Sequence, residues 1–306
     1  MSALAFALVA LTLAGPVPEM LARASWPMRA PRAAVVLWQA VAVAAVLSAF
    51  SAGIAIASRL FVPLLDGRPT AAITSEIRAL GVPLWLAYVT VFAITLVIGA
   101  RLIVAVLQVA IGTRRRRAHH RMLVDLLGAA GTGHLRIIDV AEPLAYCLPG
   151  VRSRVVVSKG ALNTLSDREI TAILRHERAH LRARHDLVLE MFTAVHAAFP
   201  RFVRSARALD AVRLLVEMLA DDAAVRAAGP TPLARALVAC AAGPTPSGAL
   251  AVGGPSTVVR VRRLSGRGNS LVVATGAYLA AAAILVVPTL ALAVPWLTEL
   301  QRLFTA

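Results

Sequence analysis

Four long apolar segments constrain the fold of this chain more than any other feature of its sequence. They cover residues 2–17, 33–58, 82–104 and 271–296, and the first is the shortest. A helix needs about 20 apolar residues to cross the hydrocarbon core of a bilayer, and the last three segments reach that length. Charged residues make up only 16% of the chain, whereas soluble domains have about 25%. The chain is therefore predicted to be a polytopic α-helical membrane protein.

The polar segment between the third and fourth apolar segments is long enough to form a domain with its own core. We expect three membrane helices with their loops in residues 1–112, a soluble domain in residues 113–269, and a fourth membrane helix with a short tail in residues 270–306. In the soluble part, the hydrophobic pattern predicts mainly helices with a few short strands, one of them at 154–157. Residues 242–256, which are rich in Gly, Pro and Ser, are predicted to form a loop.

Arginines are concentrated beside the apolar segments, within residues 23–32, 114–117 and 260–267. With four spans, all three groups fall on one side of the membrane, and the positive-inside rule places that side in the cytoplasm. We therefore expect a cytoplasmic soluble domain and two extracytoplasmic termini; the charges at 59–78, between the second and third spans, are of mixed sign. A single Lys beside 31 Arg is typical of a GC-rich bacterial genome, so the membrane is predicted to be a bacterial inner (plasma) membrane.

The net charge of +16 does not indicate binding to nucleic acid. Much of the excess positive charge lies next to the predicted spans, where it meets anionic lipid headgroups. Aromatic residues make up only 5% of the chain, and none interrupts the run Arg114–Arg117. The predicted partner of these charges is the lipid bilayer, and no direct contact with nucleic acid is expected.

The run His176-Glu177-Arg178-Ala179-His180 has the spacing of a metal site. Residues four apart lie on one face of a helix, so both imidazoles can reach one ion, with Glu177 beside them. Ser166 and Glu169 form a capping-box pattern, which predicts a helix from Asp167 to about residue 185 that carries the motif. This pattern is typical of a zinc site in which the Glu assists in activating water.

A catalytic zinc site usually has three protein ligands, and the motif supplies two. His185 is at a helical angle that points away from the metal, and Asp186 fits an extended pattern that needs Gly at position 183, where this chain has Ala. Glu217, on a second predicted amphipathic helix, is the best candidate. Asp221 lies one turn further on the same face, where it could hold a ligating His by its second ring nitrogen. Asp186 and Asp221 stay open as alternative third ligands.

HExxH followed by a Glu-xxx-Asp helix, between membrane spans, resembles the BlaR/MecR-type family of membrane zinc metallopeptidases. Other stretches between residues 113 and 297 also resemble that family: Leu148-Pro149-Gly150, Arg154–Ser158, Leu165–Glu169, His196 and Arg260–Leu264. The zinc motif itself is shared with the HtpX-type membrane proteases, which are the nearest alternative. The resemblance does not extend to a penicillin-binding domain after the last span, so β-lactam sensing is not expected.

The resemblance implies a cytoplasmic, mainly helical α+β domain of the zincin-like (gluzincin) kind, with a small sheet. It implies one Zn²⁺ per chain, bound by His176, His180 and Glu217, with Asp221 supporting a ligating His and Glu177 as the catalytic base. In zincin-like folds, the strand before the active helix offers an open edge to an extended substrate. The strand predicted at 154–157 would have that position here.

We therefore predict a zinc metalloendopeptidase that hydrolyses peptide bonds of a cytoplasmic protein in regulatory signalling, such as a winged-helix transcriptional repressor of the BlaI/MecI type. The alternatives are an HtpX-like quality-control protease and a non-catalytic membrane signalling scaffold. The intact Glu177 argues against the scaffold, because a structural zinc site does not need that residue. Cys147 and Cys240 are predicted to be buried thiols without a disulfide bond.

Overall fold

The structure of the chain is a computed structural model that describes residues 2–57, 81–200, 205–241, 250–251, 256–266 and 269–305. Within these described residues, it combines a mainly helical domain, built around a small mixed sheet, with four helices that are long and apolar enough to cross a membrane. These candidate spans are Leu4–Arg23, Pro31–Ile56, Val82–Leu127 and Leu271–Ala291. The chain is a multi-pass membrane protein, and the predicted fold class is confirmed. The charges at 59–78 and most of the loop predicted at 242–256 lie outside the described residues.

The first apolar segment is broken into two helices. α1 (Ser2–Ala14) ends before Gly15, and the short helix α2 (Pro16–Arg23) follows. The break precedes Pro16, because proline lacks a backbone N–H and disfavours the helical conformation of the residue before it. After a 3₁₀ turn (Trp26–Arg29), α3 (Pro31–Ala57) forms the second span and packs against α1.

The third membrane helix continues directly into the mainly helical domain. α4 (Val82–Leu127) is a single helix of 46 residues, so the domain boundary predicted after residue 112 falls inside it and stays a prediction. Arg117 of α4 is buried, and its Nη1 donates to Asp186 Oδ2 (3.1 Å) and Glu190 Oε1 (2.7 Å). This arginine therefore links the domain to the helix. The sequence analysis predicted contact with lipid headgroups for the run Arg114–Arg117, and Arg117 differs from that prediction because its guanidinium binds two carboxylates.

Among the described residues, this domain contains a five-stranded sheet in the order β1-β2-β4-β3-β5. The strands are β1 (Ala129–Ala130), β2 (Leu135–Ile138), β3 (Ala145–Leu148), β4 (Arg154–Ser158) and β5 (Leu250–Ala251). β4 pairs in parallel with β2 and antiparallel with β3, so the prediction that it offers an open edge to a substrate is wrong. The reason is its run of three buried valines, which suits a central strand covered on both faces.

Helices that follow β4 in the sequence cover this sheet, and the last of these helices is the fourth membrane helix. They are α5 (Lys159–Thr164), α6 (Asp167–Ala183), α7 (His185–Ala198), α8 (Ser205–Ala228), α9 (Pro230–Cys240), α10 (Thr257–Leu264) and the membrane helix α11 (Leu271–Thr305). α6 packs against β3, α8 and α9. The zinc motif therefore lies on a helix with neighbours on several sides.

The two faces of β3 have different partners, because successive side chains of a strand alternate. Ala145 packs with the apolar residues of α6, and Cys147 lies next to Glu177 of that helix. Tyr146 points to the other face, where its Oη is 2.8 Å from Nε2 of His120 on α4. β3 thus separates the motif helix from the long helix α4.

Two apolar cores meet at α8. The first includes Ile173 of α6, Leu237 of α9 and Ala224 of α8. The second joins α8 to α3 and α7, where Trp38 and Phe192 contact edge-to-face with their ring centroids 6.5 Å apart. α8 is therefore buried on two faces, more deeply than its predicted amphipathic pattern suggested. It connects the membrane helix α3 to the motif helix α6.

Gly160, at the start of α5, is expected to tolerate no side chain. A Cβ at this position would lie 1.9 Å from the backbone oxygen of Ala141, which cannot move away without moving the chain. Gly160→Ala should lower the free energy of unfolding by about 1–3 kcal/mol, the usual cost of overpacking. Thermal unfolding of the detergent-purified protein measures the effect. Gly276→Ala on α11 is the control, because its Cβ meets no heavy atom within 4 Å. Equal midpoints for the two variants would contradict this packing.

Candidate metal centre

Helix α6 carries both histidines and Glu177 of the motif into the interior of the domain. The helix begins in the predicted capping box, in which the backbone N–H of Ser166 donates to Glu169 Oε2 at 2.9 Å. His176, Glu177 and His180 follow in the middle of the helix, and each is at most 1% exposed. The three side chains therefore extend from the rigid middle part of one helix.

The end of α6 differs from the prediction. The helix stops before Arg184, whose φ of 50° lies in the left-handed region, and a new helix begins at His185. This turn brings Nδ1 of His185 to 3.1 Å from Nδ1 of His180, and it directs Asp186 to Arg117. The group of described residues that could hold a metal ion contains neither His185, Asp186 nor Asp221, so the two open alternatives for the third ligand, Asp186 and Asp221, are disfavoured.

Glu217 of α8 completes a set of three ligand atoms that face one another. The two Nε2 atoms of His176 and His180 are 3.1 Å apart. Glu217 places Oε2 at 3.3 Å from His176 Nε2, and Oε1 at 3.5 Å from His180 Nε2. Ligand atoms about 2.0–2.2 Å from a tetrahedral zinc ion lie roughly 3.4 Å from one another. The three side chains therefore fit around one zinc ion.

The second ring nitrogen of each histidine also has a partner. Nδ1 of His176 is 3.0 Å from Asp221 Oδ1, and Nδ1 of His180 faces Nδ1 of His185. A proton on Nδ1 leaves the lone pair of Nε2 for the metal in each ring, and on His180 this Nδ1–H can donate to His185. His185 must be neutral to accept this bond, and burial, together with the nearby His176, lowers the pKa of His185 to about 4.

The carboxyl group of Glu177 is buried beside the ligand atoms. Neither of its oxygens has a well-formed hydrogen bond to any part of the chain that the structure describes. Burial raises the pKa of Glu177 to about 7. This carboxyl group can therefore take up and release a proton near pH 7.

The two cysteines of the chain are buried free thiols, as predicted. Burial and the neighbouring carboxylate of Glu177 raise the pKa of the Cys147 thiol, so this thiol is neutral.

Sequence reasoning missed Arg260, which it treated only as part of a basic segment beside the membrane. In the structure, Nε and Nη2 of Arg260 donate to the two oxygens of Asp221, and Nη1 is 3.0 Å from Glu217 Oε2. The one available signal was helical spacing, since Arg260 shares a face of α10 with Thr257 and Leu264. That spacing predicts burial of Arg260 but identifies no partner.

Comparison with known proteins places this site in a family. The model of Peptidase family M48 matches residues 112–268, slightly more than half of the chain. The chain belongs to peptidase family M48. The matched range contains the whole metal centre of this M48 peptidase and ends before its last membrane helix. No curated protein and no solved structure gives a significant match.

Family membership and the ligand geometry together establish a zinc metallopeptidase. The predicted cofactor, Zn²⁺, is confirmed, and the site of this M48 peptidase is formed by His176, His180 and Glu217. Zinc fits the donor set because two imidazoles and one carboxylate are a typical set of protein ligands for catalytic zinc. The match is to the family and distinguishes no subfamily.

Glu217→Ala is expected to remove zinc from the purified protein, whereas Glu177→Gln should retain it. Loss of a ligand should weaken zinc binding by more than the roughly 10–100-fold that loss of an outer partner causes. Elemental analysis after dialysis against a weak chelator measures zinc per chain. Glu177→Gln is the matched control, because Glu177 is buried next to the site but supplies no ligand atom. Full zinc retention by Glu217→Ala would overturn Glu217 as the third ligand.

Zinc affinity is expected to fall as the pH falls below about 9. Burial lowers the pKa of His176, but its contacts with Asp221 and Glu217 outweigh burial and raise that pKa to about 9. A ligating imidazole must be neutral, so below this pKa a proton competes with zinc and the affinity falls about tenfold per pH unit. Competition with a chelator at pH 6.5, 7.5 and 8.5 measures how steeply zinc affinity changes with pH. Asp221→Asn should make this dependence weaker, because it lowers the pKa of His176. An affinity independent of pH over this range would contradict the assignment.

Proposed function

We propose that this protein is an integral-membrane zinc metalloendopeptidase that hydrolyses peptide bonds of a cytoplasmic protein in regulatory signalling. The observation that carries the proposal is the buried carboxyl group of Glu177 beside a three-donor zinc site. A structural zinc site usually has four protein ligands and does not need such a group. Both features therefore argue for catalysis and against the signalling scaffold.

Each residue of the site has a defined task in peptide hydrolysis. Zinc held by His176, His180 and Glu217 would polarise the scissile carbonyl and activate a water molecule. Glu177 accepts a proton as water adds to the carbonyl carbon, and it donates that proton to the leaving amine when the C–N bond breaks. The pKa of about 7 suits both transfers. Asp221 keeps the His176 ring turned so that Nε2 faces the site.

The arrangement of the helix ends supports a cytoplasmic position for the domain. The backbone N–H of Ser270 donates to the carbonyl oxygen of Arg29 at 2.8 Å, so α3 and α11 begin close together. α4 continues from its span into the same soluble domain, where Arg117 is anchored. The basic residues before α3 and along α4 thus belong to one membrane face, which the positive-inside rule places in the cytoplasm. Both termini would then be extracytoplasmic in a bacterial inner membrane.

The proposed substrate is a winged-helix transcriptional repressor like BlaI or MecI. Its support is the resemblance of the HExxH helix, the Glu-xxx-Asp helix and their flanking segments to BlaR/MecR-type metallopeptidases. Contact of the enzyme itself with nucleic acid is not expected, because several arginines of the basic segments are paired with carboxylates: Arg117, Arg260 and Arg263. An HtpX-like quality-control protease would use the same chemistry on damaged membrane proteins.

Cleavage assays with the full-length protein in lipid nanodiscs test the proposal. We expect zinc-loaded protein to cut a winged-helix repressor from the same genome at a defined site. Glu177→Gln should slow cleavage by about 10²–10⁴-fold, the usual contribution of a general base, while it keeps its zinc. Chelation should stop cleavage, and added zinc should restore it.

The other outcomes separate the alternative functions. Cleavage of an unfolded membrane protein, with the repressor left intact, would favour quality control. Zinc-loaded protein that cuts neither substrate would support the scaffold and overturn the proposal.

A further inference from the structure

Arg260 has no part in the chemistry above, yet its side chain contacts two acidic residues of the zinc site. It is 1% exposed. Nη2 donates to Asp221 Oδ1 at 2.6 Å, Nε donates to Asp221 Oδ2 at 2.8 Å, and Nη1 lies 3.0 Å from Glu217 Oε2. We propose that Arg260 is a positioning residue that holds Glu217 and Asp221 in the orientation that zinc binding requires.

The shape of the guanidinium group suits this role. Its five N–H donors lie in one plane, so one edge can bind a carboxylate in a bidentate manner while the remaining nitrogen reaches a second carboxylate. Glu217 and Asp221 are one turn apart on α8, and a single guanidinium therefore restricts both side chains. Asp221 in turn contacts His176 Nδ1 at 3.0 Å. Through these contacts, Arg260 acts on two of the three zinc ligands.

The charges of the site require such a partner. Three carboxyl groups meet in this interior: Glu177, Glu217 and Asp221. Carboxylates one turn apart repel each other, and a buried carboxylate without a partner is strongly disfavoured. Zn²⁺ and the Arg260 guanidinium together carry three positive charges, which balance the three carboxylates when all are ionised. The guanidinium of Arg260 therefore offsets negative charge that one zinc ion would leave unbalanced.

The position of Arg260 is set from the membrane side of the domain. Arg263, one turn further along α10, donates to both oxygens of Asp222 (2.7 and 3.1 Å) and to the backbone oxygen of Met28 (2.8 Å). Asn269, just before α11, donates to Asp222 Oδ2 at 3.0 Å. Two successive carboxylates of α8 are thus bound by the helix that leads into the last span. The orientation of the zinc ligand Glu217 is linked to the point where α11 begins.

Substitution of Arg260 in the full-length, detergent-purified protein tests the inference by two metal readouts. These are zinc affinity by competition with a chromophoric chelator, and the visible spectrum of the cobalt(II) form. Arg260→Met should weaken zinc binding about 10–100-fold, the usual effect of losing a partner of a ligand, and should alter the cobalt spectrum. Arg260→Lys keeps the positive charge but not the planar guanidinium, so it should lose less zinc affinity than Arg260→Met. Arg262→Met, an exposed arginine of the same helix, is the matched control and should bind zinc like the wild type.

A double-mutant cycle separates positioning from general stability. If Arg260 acts through Asp221, Arg260→Met should cost less zinc affinity in an Asp221→Asn background than in the wild type. Should Arg260→Met fail to fold, Arg260→Lys decides, and weakened zinc binding with an altered cobalt spectrum supports the inference. Wild-type affinity and a wild-type cobalt spectrum in every folded Arg260 variant would overturn it. The inference rests on the zinc site of the proposed peptidase, but these readouts use no substrate, so a failed cleavage assay leaves them unaffected.

Discussion

The buried contacts of Asp221 with His176 and Arg260 join three helices of the domain. The three side chains come from α6, α8 and α10, which are far apart in the sequence. A buried carboxylate is strongly destabilising unless donors satisfy it. Here the Arg260 guanidinium donates to both oxygens of Asp221, and Nδ1 of His176 lies 3.0 Å from one of them. Because Asp221 needs all three helices in register, the packing of the domain and the orientation of a zinc ligand depend on the same interaction.

Both metal histidines are supported by contacts that lead back to membrane helices. His176 is held through Asp221 by α10, which precedes α11. His180 is held by His185 at the start of α7, where the next residue is bound by Arg117 of α4. The zinc site is therefore joined to the membrane part on two sides. This arrangement suits an enzyme whose ligand geometry depends on its membrane helices, and the proposed role of Arg260 is one specific form of that dependence.

Predictions that rest on local spacing agree with the structure. The capping box at Ser166 begins α6, and the i, i+4 spacing brings His176 and His180 to one point. The Glu-xxx-Asp pattern also placed Glu217 in the site, because the two carboxyl groups share a face of α8. Each of these inferences needs only the 3.6-residue period of a helix. The predicted edge position of β4 was wrong, because strand order depends on pairing with β2, which no local pattern of β4 reveals.

Hydropathy and helical periodicity act over one segment at a time, so they were enough to predict the membrane spans, the motif helix and the chemical type of the site. The residues that support the metal ligands follow instead from how the helices pack in the folded chain. Arg117 and Arg260 look alike in sequence, as members of basic runs beside apolar segments. In the folded chain, Arg117 is bound to Asp186 and Glu190, and Arg260 to Asp221. The packing of helices distant in sequence determines which carboxylate each arginine binds, because a buried charge is destabilising unless an opposite charge lies next to it.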